Sequence, residues 1–107
     1  MTISESLGSI SFYPIPQDVI GTACISHGIN ADDEATMDEL NSSEYDLAKA
    51  DCYKWLVYAP PSISENGTSF QISDEQRRHF RKLANEIYKR NKKPPLPTEY
   101  GRKHWNF

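Results

Sequence analysis

A chain of 107 residues, 37% hydrophobic and 11% aromatic, has room for one small core and none for a second, yet carries too many rings for a disordered polymer. No apolar run approaches the ~18 residues of a membrane span, and residues 1–12 lack the basic start and apolar stretch of a secretory signal. The net charge of −3 hides a split: residues 1–73 set only Lys49 and Lys54 against eleven Asp and Glu, whereas residues 74–107 set ten Lys and Arg against four acids.

Thr2-Ile3-Ser4-Glu5 has capping-box spacing and predicts a short helix to about Ser9, with Ile3, Leu7 and Ile10 on one side. Pro14 and Pro16 interrupt helical geometry, and Pro16 opens a second helix with a stripe of Val19, Ile20, Ala23 and Cys24. Gly28 ends it and lets Ile29 fold back, while His27 in the last turn favours the helix dipole. Residues 30–41 read as an acidic loop with at most one turn of helix. Their spacing of Asp32, Asp33, Glu34, Asp38 and Glu39 is not that of a calcium loop.

A third helix, capped by Ser42 or Ser43, carries Tyr45, Ala48, Cys52, Trp55, Leu56 and Ala59 on a single stripe, with Trp55 expected at the centre of the core. Asp46–Lys49 and Asp51–Lys54 are spaced as surface ion pairs, and Pro60-Pro61 stops the helix. In residues 62–73, Asn66-Gly67 and the alternation around Phe70 and Ile72 predict a short hairpin or protruding loop that needs something to pack on. Ser73 to Gln76 forms a second capping box, opening a fourth helix. Its apolar face is Phe80, Leu83, Ala84, Ile87 and Tyr88, and its basic face includes Arg77, Arg78, Arg81 and Lys82. After residue 90, Pro94-Pro95-Leu96-Pro97 favours an extended arm. Trp105 and Phe107 at its end are expected to insert into a pocket on this chain or a neighbour.

The expected fold is therefore mainly α: a four-helix domain over residues 1–90, a hairpin or loop excursion, and an extended arm over residues 91–107. Cys24 and Cys52 sit among apolar neighbours as small buried hydrophobes, with a bridge between them as the alternative. There is no phosphate loop, and His27, His79 and His104 lack metal-ligand spacing. Neither the Cys24–His27 stretch nor a Cys52–His79 pair completes a metal or nucleophile site, so no cofactor, metal or catalytic residue is assigned. The candidate sites are contact surfaces: Arg77, Arg78, Arg81 and Lys82 on the fourth helix, Phe70 and Ile72 on the excursion, and Trp105 and Phe107 on the arm. The basic segment can pack on the acidic one in the same molecule, face another protein or a sister copy, or meet nucleic-acid phosphate.

One ordered set of features resembles a known family. Thr2 to Leu7 precedes Phe12-Tyr13-Pro14 and a helix ending His27-Gly28-Ile29; then come Leu47 to Asp51, Trp55-Leu56-Val57, Ala59-Pro60, Ile63 to Gly67, and Lys82 to Tyr88. Over residues 1–90 this is similar to the small helical head–tail connector (adaptor) proteins of tailed bacteriophages and prophages. The resemblance implies a non-catalytic virion subunit, assembled in the host cytoplasm into a ring, typically twelve-fold, beneath the portal protein. DNA would pass through its lumen without sequence-specific contact, tail proteins would dock below, and no membrane is involved. The alternative is a small regulatory module whose basic helix binds nucleic acid or a host protein.

Overall fold

The computed structural model describes residues 1–97. Five helices and one hairpin follow in order: α1 (Ile3–Gly8), α2 (Gln17–Ser26), α3 (Met37–Leu40), α4 (Ser43–Tyr58), β1 (Ser62–Glu65), β2 (Thr68–Gln71) and α5 (Asp74–Arg90). Both capping boxes form, with Thr2 and Glu5 closing α1 and Ser73 and Gln76 closing α5. Ser42 caps α4 through the Tyr45 amide. The acidic segment holds α3, a single turn capped by Thr36.

The helices end as local chemistry dictates. Gly28 takes φ +71° after α2, and the Ile29 amide reaches back to the Cys24 carbonyl at 2.8 Å. This reversal satisfies carbonyls that the helix itself leaves free. The same turn closes α5, where the Lys93 amide bonds the Tyr88 carbonyl at 2.8 Å. There the left-handed position belongs to Lys92, at φ +58°. Between the strands, Asn66 and Gly67 both have positive φ, the backbone of a tight hairpin turn that matches strand twist. The register pairs Ser62 with Gln71 and Ile63 with Phe70.

α4 is the central element, with α5 packed along one side and α2 along the other; α1 packs on α2 and bonds α4 through the Ser6 and Tyr45 hydroxyls, and α3 lies against α4. That position corrects the single-stripe reading of α4. Tyr53 and Val57 are buried as well as Tyr45, Ala48, Cys52 and Leu56, because a helix flanked on two sides needs two apolar faces. Tyr53 stacks on Phe80 of α5, ring centres 5.8 Å apart. Ala48, Cys52 and Ala84 are fully buried small residues that let the helices approach closely. Trp55 is not the centre of the core but half-buried at its margin. Among the described residues Tyr13, Ile3, Leu7, Ile20 and Leu56 are the largest fully buried side chains, and each aliphatic one contributes about 1.5–3 kcal/mol by leaving water. The Tyr13 hydroxyl donates to the Pro60 carbonyl at 2.6 Å, fastening the α1–α2 connection to the end of α4.

Lys49 acts on Asp46 through its charge, as the spacing predicts, but the side-chain hydrogen bonds of Asp46 and Asp51 run to other parts of the fold. Asp46 accepts from Arg90 Nη2 at 2.8 Å, from Arg90 Nε at 3.0 Å and from Asn91 at 3.0 Å. Asp51 faces His27 and Tyr88 instead of Lys54. A planar guanidinium matches a carboxylate with two parallel bonds, which a lysine three residues along the same helix cannot do.

Candidate functional site

The residues expected to form contact surfaces fall into different environments. Arg77, on the first turn and a half of α5, donates from Nη1 to the Val57 carbonyl at 2.8 Å and is half-buried. It thereby closes a free carbonyl at the end of α4, where positive charge is favoured. Arg81 is 8% exposed, and its Nε is buried without a hydrogen-bond partner. Its long apolar stem is buried with it rather than spread on a solvated face. Both arginines are therefore withdrawn from the expected basic face, while Arg78 and Lys82 remain exposed on it. Ile72 is likewise withdrawn: it is 6% exposed and part of the core, because the chain must turn inward there to start α5. Phe70 and its partner Ile63 are half-buried against the same core. Trp105 and Phe107 lie outside the described residues.

Hollows among the described residues adjoin α4 on several sides. Between α2 and α4 runs a groove of about 470 Å³, floored by Val19, Ala23 and Trp55 and edged by Asp18, Lys54 and Tyr58. A second, of about 550 Å³, lies where the end of α2 meets the acidic segment; Asp33, Asp38, Glu39 and Glu44 line it with His27. The third, about 300 Å³, lies between α4, α5 and the first residues of the arm.

His27, Asp51 and Tyr88 meet between these hollows, and sequence reasoning did not connect them. His27 Nε2 donates to Asp51 Oδ2 at 2.8 Å, and the Tyr88 hydroxyl donates to Asp51 Oδ1 at 2.6 Å. One carboxylate thus joins α2, α4 and α5. Burial and then the Asp51 hydrogen bond raise the Tyr88 phenol above its ordinary range. Burial, followed by the charges of Cys24 and Asp51, pushes the Cys52 thiol up to about 12. Cys24 is raised by burial as well. Both cysteines are free and buried, so each is protonated at neutral pH and neither is an activated nucleophile. At Asp46, burial works upward, but the Arg90 and Asn91 hydrogen bonds outweigh it and hold the carboxyl below its ordinary value. The one signal available in the sequence for this network was a carboxylate and a phenol placed within otherwise apolar stripes.

What the geometry offers chemically is bracing in the interior and binding at the surface. Residues 1–42 contain Glu5, Asp18, Asp32, Asp33, Glu34, Asp38 and Glu39 and no Lys or Arg, and they make up the α2 side of α4. α5 and the residues after it hold Lys82, Lys89, Arg90, Lys92 and Lys93 exposed on the other side. Opposed charge thus flanks a central helix in a body measuring 46 × 40 × 18 Å.

The class defined by these features is a small, mainly helical domain with one antiparallel hairpin and surfaces of opposite sign. The match to "Family of unknown function (DUF6706)" runs over residues 1–99, and the chain belongs to that family. No curated protein and no solved structure matches it.

Proposed function

We propose that this protein is a non-catalytic structural subunit of a phage head–tail connector, built into a ring of copies of itself that joins the portal protein to the tail. The observation that carries the reading is the separation of charge across α4, acidic on the α2 side and basic on the α5 side. A head-to-tail contact sets one surface patch against a different patch of the next copy, and closes into a ring when the rotation permits. Opposite charges on the two patches favour that contact and penalise like-to-like pairing. A flat body whose partly buried polar network braces its own helices leaves its charged flanks for such contacts. The ordered motifs over residues 1–90 that resemble adaptor subunits supply the phage context, the virion location and the expectation of about twelve copies.

The nucleic-acid alternative loses ground with the two arginines. Arg77 is spent on the Val57 carbonyl and Arg81 is buried, which leaves a shorter exposed run of cations for phosphate. Particle mass measured by light scattering over a range of concentrations, with electron microscopy of the largest species, tests the proposal. Closed rings that dissociate as salt is raised are the expected result. A monomer at every concentration, with or without a portal protein present, would overturn it.

A further inference from the structure

We infer that Arg81 anchors the contact between copies, its guanidinium taking the carboxylate of Asp38 from the acidic segment of the next subunit. The inference rests on the ring reading and names the residues at its joint. Behind it stands a pair of polar atoms left without partners. Among the described residues, the buried side-chain atoms with no hydrogen bond are Nε of Arg81 and Oε2 of Glu39. The first belongs to a cation of α5, the second to an anion of α3. They cannot answer each other within one subunit. The Tyr53–Phe80 stack and the Arg77–Val57 bond set Arg81 beside the second half of α4, whereas Glu39 precedes its first turn. The rise from Ser43 to Tyr53 alone is roughly 15 Å.

A second copy supplies what one chain lacks. Arg81 is 8% exposed, and of its guanidinium nitrogens only Nε is sealed, so the two Nη groups open at the surface above a buried stem. No acceptor among the described residues meets them. A guanidinium held by its stem offers two parallel donors in a fixed place, the geometry of a single planar carboxylate. It does not offer the run of cations that a phosphate backbone takes. An unpaired charge so withdrawn from water is costly, and a carboxylate brought against it offsets that cost. Asp38 fits the part: it is exposed, makes no ion pair among the described residues, and stands at the acidic hollow next to Glu39. A protruding acid on one copy thus meets a flush cation on the next. Lys82, exposed one residue along α5, then faces the hollow of about 550 Å³ that Glu39 lines. Such a joint sets different patches together, as a closed ring requires.

The test is a double-mutant cycle on self-association of the full chain, read as dissociation constants by analytical ultracentrifugation at low salt. Arg81→Met keeps the stem and removes the charge, and Asp38→Asn keeps the shape and removes the charge. Each should raise the dissociation constant about tenfold or more. Together they should do little more than either alone, because the two losses are one interaction. Urea midpoints of the dilute monomers report the fold separately. Arg81→Met should leave the midpoint unchanged or raised, since it removes a buried charge that has no partner. A lowered midpoint would make Arg81 a brace within its own subunit, and losses that multiply would assign the two residues to different partners. Wild-type affinity in either single variant would place the joint elsewhere while leaving the ring standing. Any of these overturns the inference, and a wild type that never associates overturns the ring reading with it.

Discussion

Two backbone positions with the same geometry carry different residues, and they make a matched test. Gly28 and Lys92 occupy the left-handed turn after α2 and after α5, at φ +71° and +58°. That region is strained for any residue with a β-carbon. Gly28→Ala should lower stability by about 1 kcal/mol, with no steric cause, since a β-carbon there would meet nothing within 4 Å. Lys92→Gly should raise stability by about 0.5–1 kcal/mol. Urea midpoints that move in opposite directions for the two variants would confirm the pair. The buried thiol and phenol predict a response to alkali. Cys52 holds its proton to about 12 in the native state against an ordinary 9.0, so the unfolded chain loses that proton first. Stability is therefore complete below about pH 9 and falls as pH rises towards 12, with Tyr88 acting in the same direction. Urea midpoints at about pH 8 and about pH 10.5 should differ less in Cys52→Ala than in the wild type.

The elements follow from local signals where those signals are self-contained. Thr2 with Glu5 and Ser73 with Gln76 close helices through atoms three residues apart, so α1 and α5 could be placed without knowing what they pack on. Asn66-Gly67 likewise made a hairpin legible, though whether it would pair depended on Ile63 and Phe70 finding a core to cover. Ile72 and Lys82 were read alike as contact residues and are placed oppositely. Ile72→Ala should cost about 2–4 kcal/mol in urea denaturation, because it opens a cavity in the core. Lys82→Glu, exposed on α5, should change stability by less than about 0.5 kcal/mol. Equal effects from the two would show that the hairpin's end is not packed as described.

At the scale of the molecule, α4 decides which charges remain outside. It takes Arg90 through Asp46, receives Arg77 at its last carbonyls, and ties His27 to Tyr88 through Asp51. The cations left exposed on the α5 side include Lys82 and Lys89, and the acids opposite include Asp32, Asp33 and Asp38. If copies associate through these flanks, Lys82→Glu with Lys89→Glu should reduce the assembled fraction in light scattering. Reversal of Asp32 and Asp38 to Lys in a mixed partner should restore it. Raising salt from low to about physiological strength should weaken assembly of the wild type, since exposed charges are screened beyond roughly 8 Å. Assembly indifferent to both salt and charge reversal would assign the contact to apolar surface instead.

Caps, turn residues and the asymmetry of charge were legible in the amino-acid order because each rests on neighbours within a few residues, or on simple counting. The two-sided burial of α4, the inward placement of Arg81 and Ile72, and the meeting of His27, Asp51 and Tyr88 were not. Those depend on which helices lie against one another. A side chain's worth as core, brace or surface is set by atoms brought near only when the chain folds.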